Sequence, residues 1–222
     1  MVEYCIYDNS CFLIKGDKLS ILIDPFLKSN ELNKIYYDYV LISHNHLDHT
    51  FNLNKLDKNI IAPKEICLNN QYIEIEDKVI IKDIIINKVD TFKHPRWFQK
   101  SFLYDYLSSY IAFRQFKRCK VSNGYIIKIE DEVIYYSGDT LYSKELFTSI
   151  KNRFNPTICF ISFEEKQIPL FELLVPMSKF NNIKDIFKCD IIPIHQTRKW
   201  YINNLNKFIE NTKKNIYYKK EV

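Results

Sequence analysis

Short apolar segments rich in β-forming residues fill the first half of the chain. Residues 3–7, Cys11–Lys15 and Ser20–Ile23 follow one another with polar turns between them, as neighbouring strands do. In the second half, predicted strands such as residues 157–162 alternate with predicted helices such as residues 179–187. This order favours an α/β (α+β) fold, an αββα four-layer sandwich with two mixed sheets between outer helices. No repeat or linker divides the sequence, so we predict a single domain over residues 1–222.

The end of the chain is predicted to be a helix followed by an exposed tail. Residues 201–212 place Ile202, Leu205 and Phe208 on one helical face, which is the pattern of an amphipathic helix. The basic tail at residues 213–220 carries no motif, so we expect it to be solvated.

Composition limits the partners and the compartment that we expect. Lys and Arg number 32 against 27 Asp and Glu, and the formal charge of +5 permits an anionic small-molecule substrate without requiring nucleic acid. The six cysteines form no C-x-x-C pair, and several lie in apolar runs where a free Cys packs as a small hydrophobe. No apolar run approaches the ~18 residues of a transmembrane helix. We therefore predict a reduced, cytoplasmic protein without a transmembrane segment.

Three of the five histidines fall within six residues, in an H-x-H-x-D-H run formed by His44, His46, Asp48 and His49. The run follows an apolar strand predicted at residues 39–43, so it lies at the carboxyl end of that strand. A turning backbone there can direct His44 and His46 toward one ion. Asp48 and His49 can then face a second ion. Imidazole and carboxylate suit Zn, Mn and Fe, so the run predicts a metal site.

Three further candidate ligands are spread along the chain. His94, Asp139 and His195 each lie just past an apolar run, where a sheet delivers loop residues to a shared edge. With them, one predicted site accounts for every histidine in the sequence.

These motifs resemble those of the metallo-β-lactamase-fold hydrolases. Short sequence segments look most like the lactonase-like and phospholipase-D-like branches of that superfamily. The matching features are Ile23-Asp24-Pro25 after a strand, the H-x-H-x-D-H run, the isolated His94, the turn at residues 136–140 and a histidine at a late strand end. Their order and approximate spacing cover nearly the whole chain.

The resemblance implies a dinuclear metal centre. It assigns His44, His46 and His94 to one metal, Asp48, His49 and His195 to the other, and Asp139 to both as a bridge. A hydroxide held between the ions would be the nucleophile, and Asp48 would be the catalytic proton acceptor. Asp24 would either orient a ligand histidine or simply form the turn before Pro25. The implied cofactor is two divalent metal ions, with Zn as the first choice and Mn or Fe as alternatives.

The function expected from these features is hydrolysis of a small ester, lactone or phosphodiester. Two alternatives stay open. A nuclease acting on RNA or DNA phosphodiesters requires a continuous basic stripe leading from the site. A non-catalytic metal-binding protein would use the ions structurally, although a closed structural site needs only four ligands.

The segment at residues 95–120 follows His94 directly and has an unusual composition. It holds six basic residues against one acidic residue, together with eight aromatic residues. We interpret it as a helical insertion that forms a lid over the metals, a homo-oligomer interface or a contact with lipid. Lys179, Arg198 and Lys199 are further candidates for contact with an anionic substrate.

Overall fold

Two sheets of seven strands each form the centre of the computed structural model, which describes residues 1–50, 53–56, 59–64, 66, 72–91, 122–165 and 174–219. The first sheet consists of β1 (Glu3–Asp8), β2 (Cys11–Lys15), β3 (Ser20–Ile23), β4 (Tyr39–Leu41), β5 (Asn59–Ala62), β6 (Tyr72–Glu74) and β14 (Asn215–Tyr218). Their spatial order is β14-β1-β2-β3-β4-β5-β6. Pairing is antiparallel from β1 to β3 and parallel from β3 to β6.

The second sheet consists of β7 (Lys78–Ile81), β8 (Ile84–Asp90), β9 (Asn123–Ile129), β10 (Glu132–Tyr136), β11 (Ile158–Glu164), β12 (Val175–Pro176) and β13 (Asp190–Ile194). Strands β7 to β10 are antiparallel neighbours. Strand β11 then runs parallel to β10 on one side and to β13 on the other, and the short β12 pairs with its last two residues.

Side chains alternate along the strands between the two faces of each sheet, as the period of two requires. In β1, for example, Tyr4 lies in the central core between the sheets, whereas Cys5 belongs to the cluster on the outer face. Phe12 of the first sheet stacks on Phe160 of the second, with ring centroids 4.3 Å apart. The two sheets therefore pack face to face through their inner side chains.

Short helices pack around the two sheets. They are α1 (Ser29–Leu32), α2 (Leu47–Thr50), α3 (Lys144–Phe154), α4 (Phe180–Phe187), α5 (Arg198–Asn204) and α6 (Asn206–Ile209), with 3-10 turns at Leu53–Lys55 and Met177–Lys179. Leu32 of α1 covers the first sheet, and Phe147 of α3 and Ile183 of α4 cover the second. The predicted αββα four-layer arrangement is confirmed.

The prediction for the C-terminal region is confirmed only in part. Instead of one helix at residues 201–212, the chain forms α5 and α6, and α5 begins at Arg198 because the Thr197 hydroxyl accepts a hydrogen bond from the Trp200 amide. The tail that we expected to be exposed contains β14, which pairs in parallel with β1 and buries Ile216. The edge of β1 has backbone groups that need partners, and β14 supplies them.

Among the residues that the structure describes, no helix has both the length and the apolar character needed to cross a bilayer. The cysteines within those ranges are all free thiols.

Three strand ends meet at one edge of the sandwich and set the position of the candidate site. His44 follows β4 of the first sheet after two residues, Asp139 follows β10 after two residues, and His195 follows β13 directly. Since β10 and β13 both run parallel to β11, their carboxyl ends point the same way.

Candidate metal centre

The H-x-H-x-D-H run leaves the first sheet after β4 and folds into the single helical turn α2. Thr50 closes this turn, since its amide and its hydroxyl donate to the carbonyl of His46 at 3.0 and 2.8 Å. The sequence predicted only a turning loop here. The helical turn directs Asp48 and His49 toward the edge where the other strand ends meet.

Asp139 lies at the centre of the site and approaches histidines from both sheets. Its Oδ2 is 3.3 Å from His44 Nε2 and 3.6 Å from His49 Nε2. The same oxygen is 4.0 Å from His46 Nδ1, and the other carboxylate oxygen is 3.9 Å from His195 Nε2. One carboxylate, which follows β10, thus lies near four imidazoles that follow two other strands, β4 and β13.

Asp48, His49 and His195 form a second group on the solvent side. The Oδ2 atom of Asp48 is 3.2 Å from His195 Nε2 and 3.6 Å from His49 Nε2. The side chain of Asp48 is 30% exposed, whereas that of Asp139 is 8% exposed. His49 belongs to this group and also to the buried group with His44 and Asp139, and in each group the ligand atoms lie within 4.8 Å of one another.

The spacing and chemistry of these atoms suit a metal ion. An ion that holds ligands tetrahedrally at about 2.1 Å separates them by about 3.4 Å. Four of the carboxylate–imidazole separations, at 3.2 to 3.6 Å, are close to that value. Two buried atoms, His49 Nε2 and Asp139 Oδ1, make no hydrogen bond within the described part of the chain, although buried polar atoms are nearly always satisfied. A divalent cation would satisfy both atoms, so the residues present fit a metal.

Asp24 anchors the site from inside the core. Its fully buried carboxylate accepts hydrogen bonds from the amide and the hydroxyl of Ser43, at 2.7 and 2.5 Å, and from the hydroxyl of Tyr136. Asp24 Oδ2 is also 2.7 Å from His49 Nδ1. Holding Nδ1 leaves Nε2 of the same ring directed at the centre, which is how outer carboxylates orient metal-binding histidines.

Asn9, in the turn between β1 and β2, links the two solvent-side ligands. Its side-chain amide donates to Asp48 Oδ2 at 3.2 Å, and its carbonyl accepts from the His195 amide at 2.9 Å. His195 itself has a φ of +65°, a left-handed conformation that non-glycine residues adopt rarely. The contact with Asn9 holds His195 in this conformation.

The histidines and carboxylates of the site shift one another's pKa values. Burial, and next the neighbouring His44, lower the pKa of His46 to about 4. Burial opposes ionisation of Asp139, but the charges of the surrounding histidines outweigh it and hold the pKa of this carboxyl well below its usual range. Burial likewise opposes the charged form of His49, yet Asp139 and Asp24 raise the pKa of His49 well above its usual range. Positive charge on the histidines therefore stabilises the buried carboxylates. A metal ion can supply that charge in place of a proton.

The structure brings six of the seven predicted ligands to this one site: His44, His46, Asp48, His49, Asp139 and His195. His94 and the predicted insertion at residues 95–120 lie outside the described residues, so both stay predictions.

The interpretation of Arg198 as a contact for an anionic substrate needs correction. Its guanidinium is paired with Asp8 at 2.9 Å and with Glu31 at 2.7 Å, so its charge is already balanced. Lys179 was another candidate for contact with an anionic substrate. Its ammonium lies 5.3 Å from the ring centroid of Tyr142.

Sequence reasoning missed the supporting roles of Ser43, Tyr136, Asn9 and Ser122. Ser43 adjoins the H-x-H-x-D-H run and Tyr136 is the first residue of the turn at residues 136–140, so their position was the available signal. Ser122 accepts a hydrogen bond from the Asp139 amide at 2.9 Å across 17 residues of sequence. Nothing in the local pattern marks Ser122 or Asn9.

Comparison with known proteins adds the family context. A family model described as a beta-lactamase superfamily domain matches residues 3–153. A UPF0173 protein from Pyrococcus abyssi is 32% identical over 149 residues, which are 62% of this chain and 60% of the relative. A UPF0173 metal-dependent hydrolase from Thermoplasma volcanium is 30% identical over 150 residues, which are 65% of this chain and 64% of the relative. The chain thus spans about three fifths of the length of these curated relatives.

Solved structures agree on the fold. An isothiocyanate hydrolase from Delia radicum gut bacteria superimposes with a TM-score of 0.69 at 16% identity, covering 97% of this chain and 95% of that one. A metallo-beta-lactamase fold protein from Bacillus subtilis has a TM-score of 0.61 at 12% identity, covering 96% and 90% of the two chains. At such identities the likeness concerns the fold alone, and it confirms the predicted fold class.

Proposed function

We propose that this chain, which belongs to the beta-lactamase superfamily domain family, is a metal-dependent hydrolase that cleaves a small ester, lactone or phosphodiester. The observation that carries the proposal is the convergence of six imidazole and carboxylate side chains at one edge of the sandwich. Relatives named metal-dependent hydrolases support the same reaction class.

Two overlapping ligand sets would hold two divalent ions. One set would be His44, His46 and His94, the other would be Asp48, His49 and His195, and Asp139 would belong to both. Zn, Mn and Fe all suit these donors. When bound, such ions acidify water and stabilise negative charge that develops on an attacked carbonyl or phosphoryl group.

Asp48 is the residue that we assign to proton transfer. Of the two carboxylates in the centre, Asp48 has the more exposed side chain, so a substrate or water molecule reaches it more readily than Asp139. Burial raises the pKa of Asp48, but the hydrogen bond with His195 and the charge of His49 outweigh this and lower the pKa. Asp48 is therefore a carboxylate at neutral pH, the state that accepts a proton.

The proposal is tested by metal content together with turnover. The purified chain is analysed for Zn, Mn and Fe and assayed on esters, lactones and phosphodiesters before and after chelation. We expect bound metal and turnover of at least one substrate class, lost on chelation and restored by the metal. His46→Ala should lower both metal content and turnover. Tyr36→Phe should change neither, because this largely exposed side chain precedes β4, whereas the ligand run follows that strand.

The alternatives predict other outcomes in the same assay. A nuclease would cleave RNA or single-stranded DNA included in the panel and leave the small substrates intact. A structural metal protein would bind metal with no turnover anywhere in the panel. Absence of bound metal, or full activity of His46→Ala, would reject the proposed hydrolase.

A further inference from the structure

Two thiols meet on the outer face of the second sheet, at the end of β13 that lies away from His195. Cys159 belongs to β11 and faces the cluster beneath α3 and α4, and Cys189 directly precedes β13 and packs against the same cluster. Their Sγ atoms are 3.6 Å apart. The five residues of β13, roughly 17 Å of strand, separate this pair from the candidate metal centre.

The two thiols differ in their access to solvent. Cys159 is fully buried, whereas Cys189 is half-buried and lines an open cleft of about 840 Å³. Lys151, Lys184 and Lys188 line the same cleft, together with the carboxylates of Asp185 and Asp190. A small reagent can therefore enter the cleft and reach Cys189, but it cannot reach Cys159.

Their acidities differ as well. The hydrogen bond with Cys159 lowers the pKa of Cys189 against the effect of burial, and the charge of Lys151 lowers it further. Burial raises the pKa of Cys159 well above its usual range. Because the thiolate is the reactive form of cysteine, Cys189 is the nucleophile of the pair. An accessible thiol of lowered pKa beside a second thiol is the arrangement found in redox-sensitive proteins.

We propose that Cys189 and Cys159 form a reversible redox pair that a hydroperoxide oxidises to a disulfide. The Cys189 thiolate attacks the terminal peroxide oxygen, an S–O bond forms, the O–O bond breaks, and the leaving oxygen takes a proton to become water or an alcohol. The Cys159 sulfur then attacks the sulfenic sulfur, an S–S bond forms, and the hydroxyl departs with the Cys159 proton as water. Two electrons pass from the two thiols to one hydroperoxide, and an external dithiol returns them.

Cys159 pairs with Ile191 in the β11–β13 register, so Cys189 lies diagonally across from it and the segment before β13 must shift for the bond to close. A disulfide needs its sulfurs at about 2.05 Å, so the two atoms must approach by roughly 1.5 Å. Cys189 lies between the end of α4, where Lys188 has a φ of +52°, and the first residue of β13. Cys189 therefore lies outside both the helix and the paired residues of the β11–β13 ladder.

The experiment is disulfide mapping of the full chain. Protein reduced with a dithiol is treated with one equivalent of hydrogen peroxide, alkylated, digested and analysed by mass spectrometry. We expect a peptide pair linked through Cys159 and Cys189, lighter by two hydrogens than the reduced pair and released by renewed dithiol. A reaction that leaves both cysteines alkylated, or that stops at oxidised Cys189 with no link, would overturn the proposal.

Variants test the order of the steps. Cys159→Ala should leave a sulfenic acid on Cys189 that a cyclic diketone traps, and Cys189→Ala should leave Cys159 unoxidised. Cys5→Ala, at a buried thiol of the other sheet, is the matched control and should form the link as the unchanged protein does. Lys151→Gln should slow the peroxide step several-fold, whereas Lys207→Gln on α6 should not. Oxidation of Cys159 in the Cys189→Ala variant would contradict the assigned order.

Discussion

Asp24 connects the hydrophobic core to the candidate metal centre through one carboxylate. It has no exposure to solvent, and its partners are Ser43 after β4, Tyr136 at the end of β10 and His49 of α2. These three residues come from both sheets. A buried carboxylate with this many partners holds the adjoining strand ends in register and directs His49 at the same time.

We expect Asp24→Asn to weaken metal binding and to destabilise the fold. The amide has nearly the same volume but carries no charge, and its NH2 group would meet donors from Ser43. Metal affinity should fall about 10- to 100-fold, as losing an outer carboxylate of a ligand histidine typically does. The free energy of unfolding should fall by about 3 kcal/mol. Chelator competition measures the first change and urea denaturation the second.

Asp38→Asn is the matched control for this prediction. Asp38 also accepts hydrogen bonds from an amide and a hydroxyl, both of Ser20, at 2.8 and 2.9 Å. It touches none of the six candidate ligands that the structure describes, so this change should leave metal affinity unaltered. Equal metal affinities in the two variants would show that Asp24 does not position His49.

Arg198 shows how one side chain joins several elements. It begins α5, and its guanidinium bonds to Asp8 at the end of β1 and to Glu31 in α1. Glu31 is buried and Arg198 is about one third exposed. Since Asp8 adjoins Asn9 and α5 follows His195 closely, these ion pairs hold the outer boundary of the candidate site.

We expect Arg198→Met to cost about 1 kcal/mol of stability at neutral pH, because solvent screens the exposed part of the pair. The Arg198 hydrogen bond lowers the pKa of Glu31 from its ordinary value of 4.5. A lowered folded-state pKa stabilises the protein fully above the unfolded-state pKa, and this stabilisation is lost as pH falls through the folded-state pKa. The difference between the variant and the unchanged protein should therefore shrink in acid, as urea denaturation at neutral and acid pH would measure.

Lys18→Met provides the comparison for this pH dependence. The Lys18–Asp83 pair is largely exposed on both sides, so its loss should change stability little at either pH. A pH-independent loss in Arg198→Met would mean that packing of the Arg198 side chain, and not its charge, stabilises the helix.

At the scale of the whole molecule, three carboxylates lie close together at the edge where the two sheets meet. Asp24, Asp48 and Asp139 approach the same histidines at this edge. Bringing carboxylates together away from water is unfavourable unless positive charge accompanies them. A ligand that binds only the folded state and supplies that charge raises the stability of the entire fold.

Metal removal should therefore lower the melting temperature. Stabilisation by a bound ligand is about 2.7 kcal/mol when its free concentration is 100 times its dissociation constant. Thermal denaturation with chelator, and again after Zn or Mn is restored, measures the change. The shift should be smaller in His46→Ala and unchanged in Tyr36→Phe. Identical melting curves with and without metal would rule out a stabilising ion at this centre.

Much of this architecture follows from patterns within short segments of sequence, so it could be predicted. The alternation that puts Tyr4 inside and Cys5 outside has a period of two residues, so it is visible in any short segment. The same holds for the H-x-H-x-D-H run, whose ligands are neighbours in the chain. Ligands at other strand ends were predictable because parallel strands deliver their carboxyl ends to one edge. The predicted fold is confirmed, and six predicted ligands lie together.

The sequence alone therefore determined the layers of the fold and the donor chemistry of the site. Only the tertiary structure decided which contacts form across long sequence separations. Arg198 pairs with Asp8 across 190 residues, and Cys159 meets Cys189 across 30. The edge strand β14 likewise depends on the distant β1. Local patterns report which face of an element is apolar, whereas pairings between distant side chains arise only when packing brings their elements together.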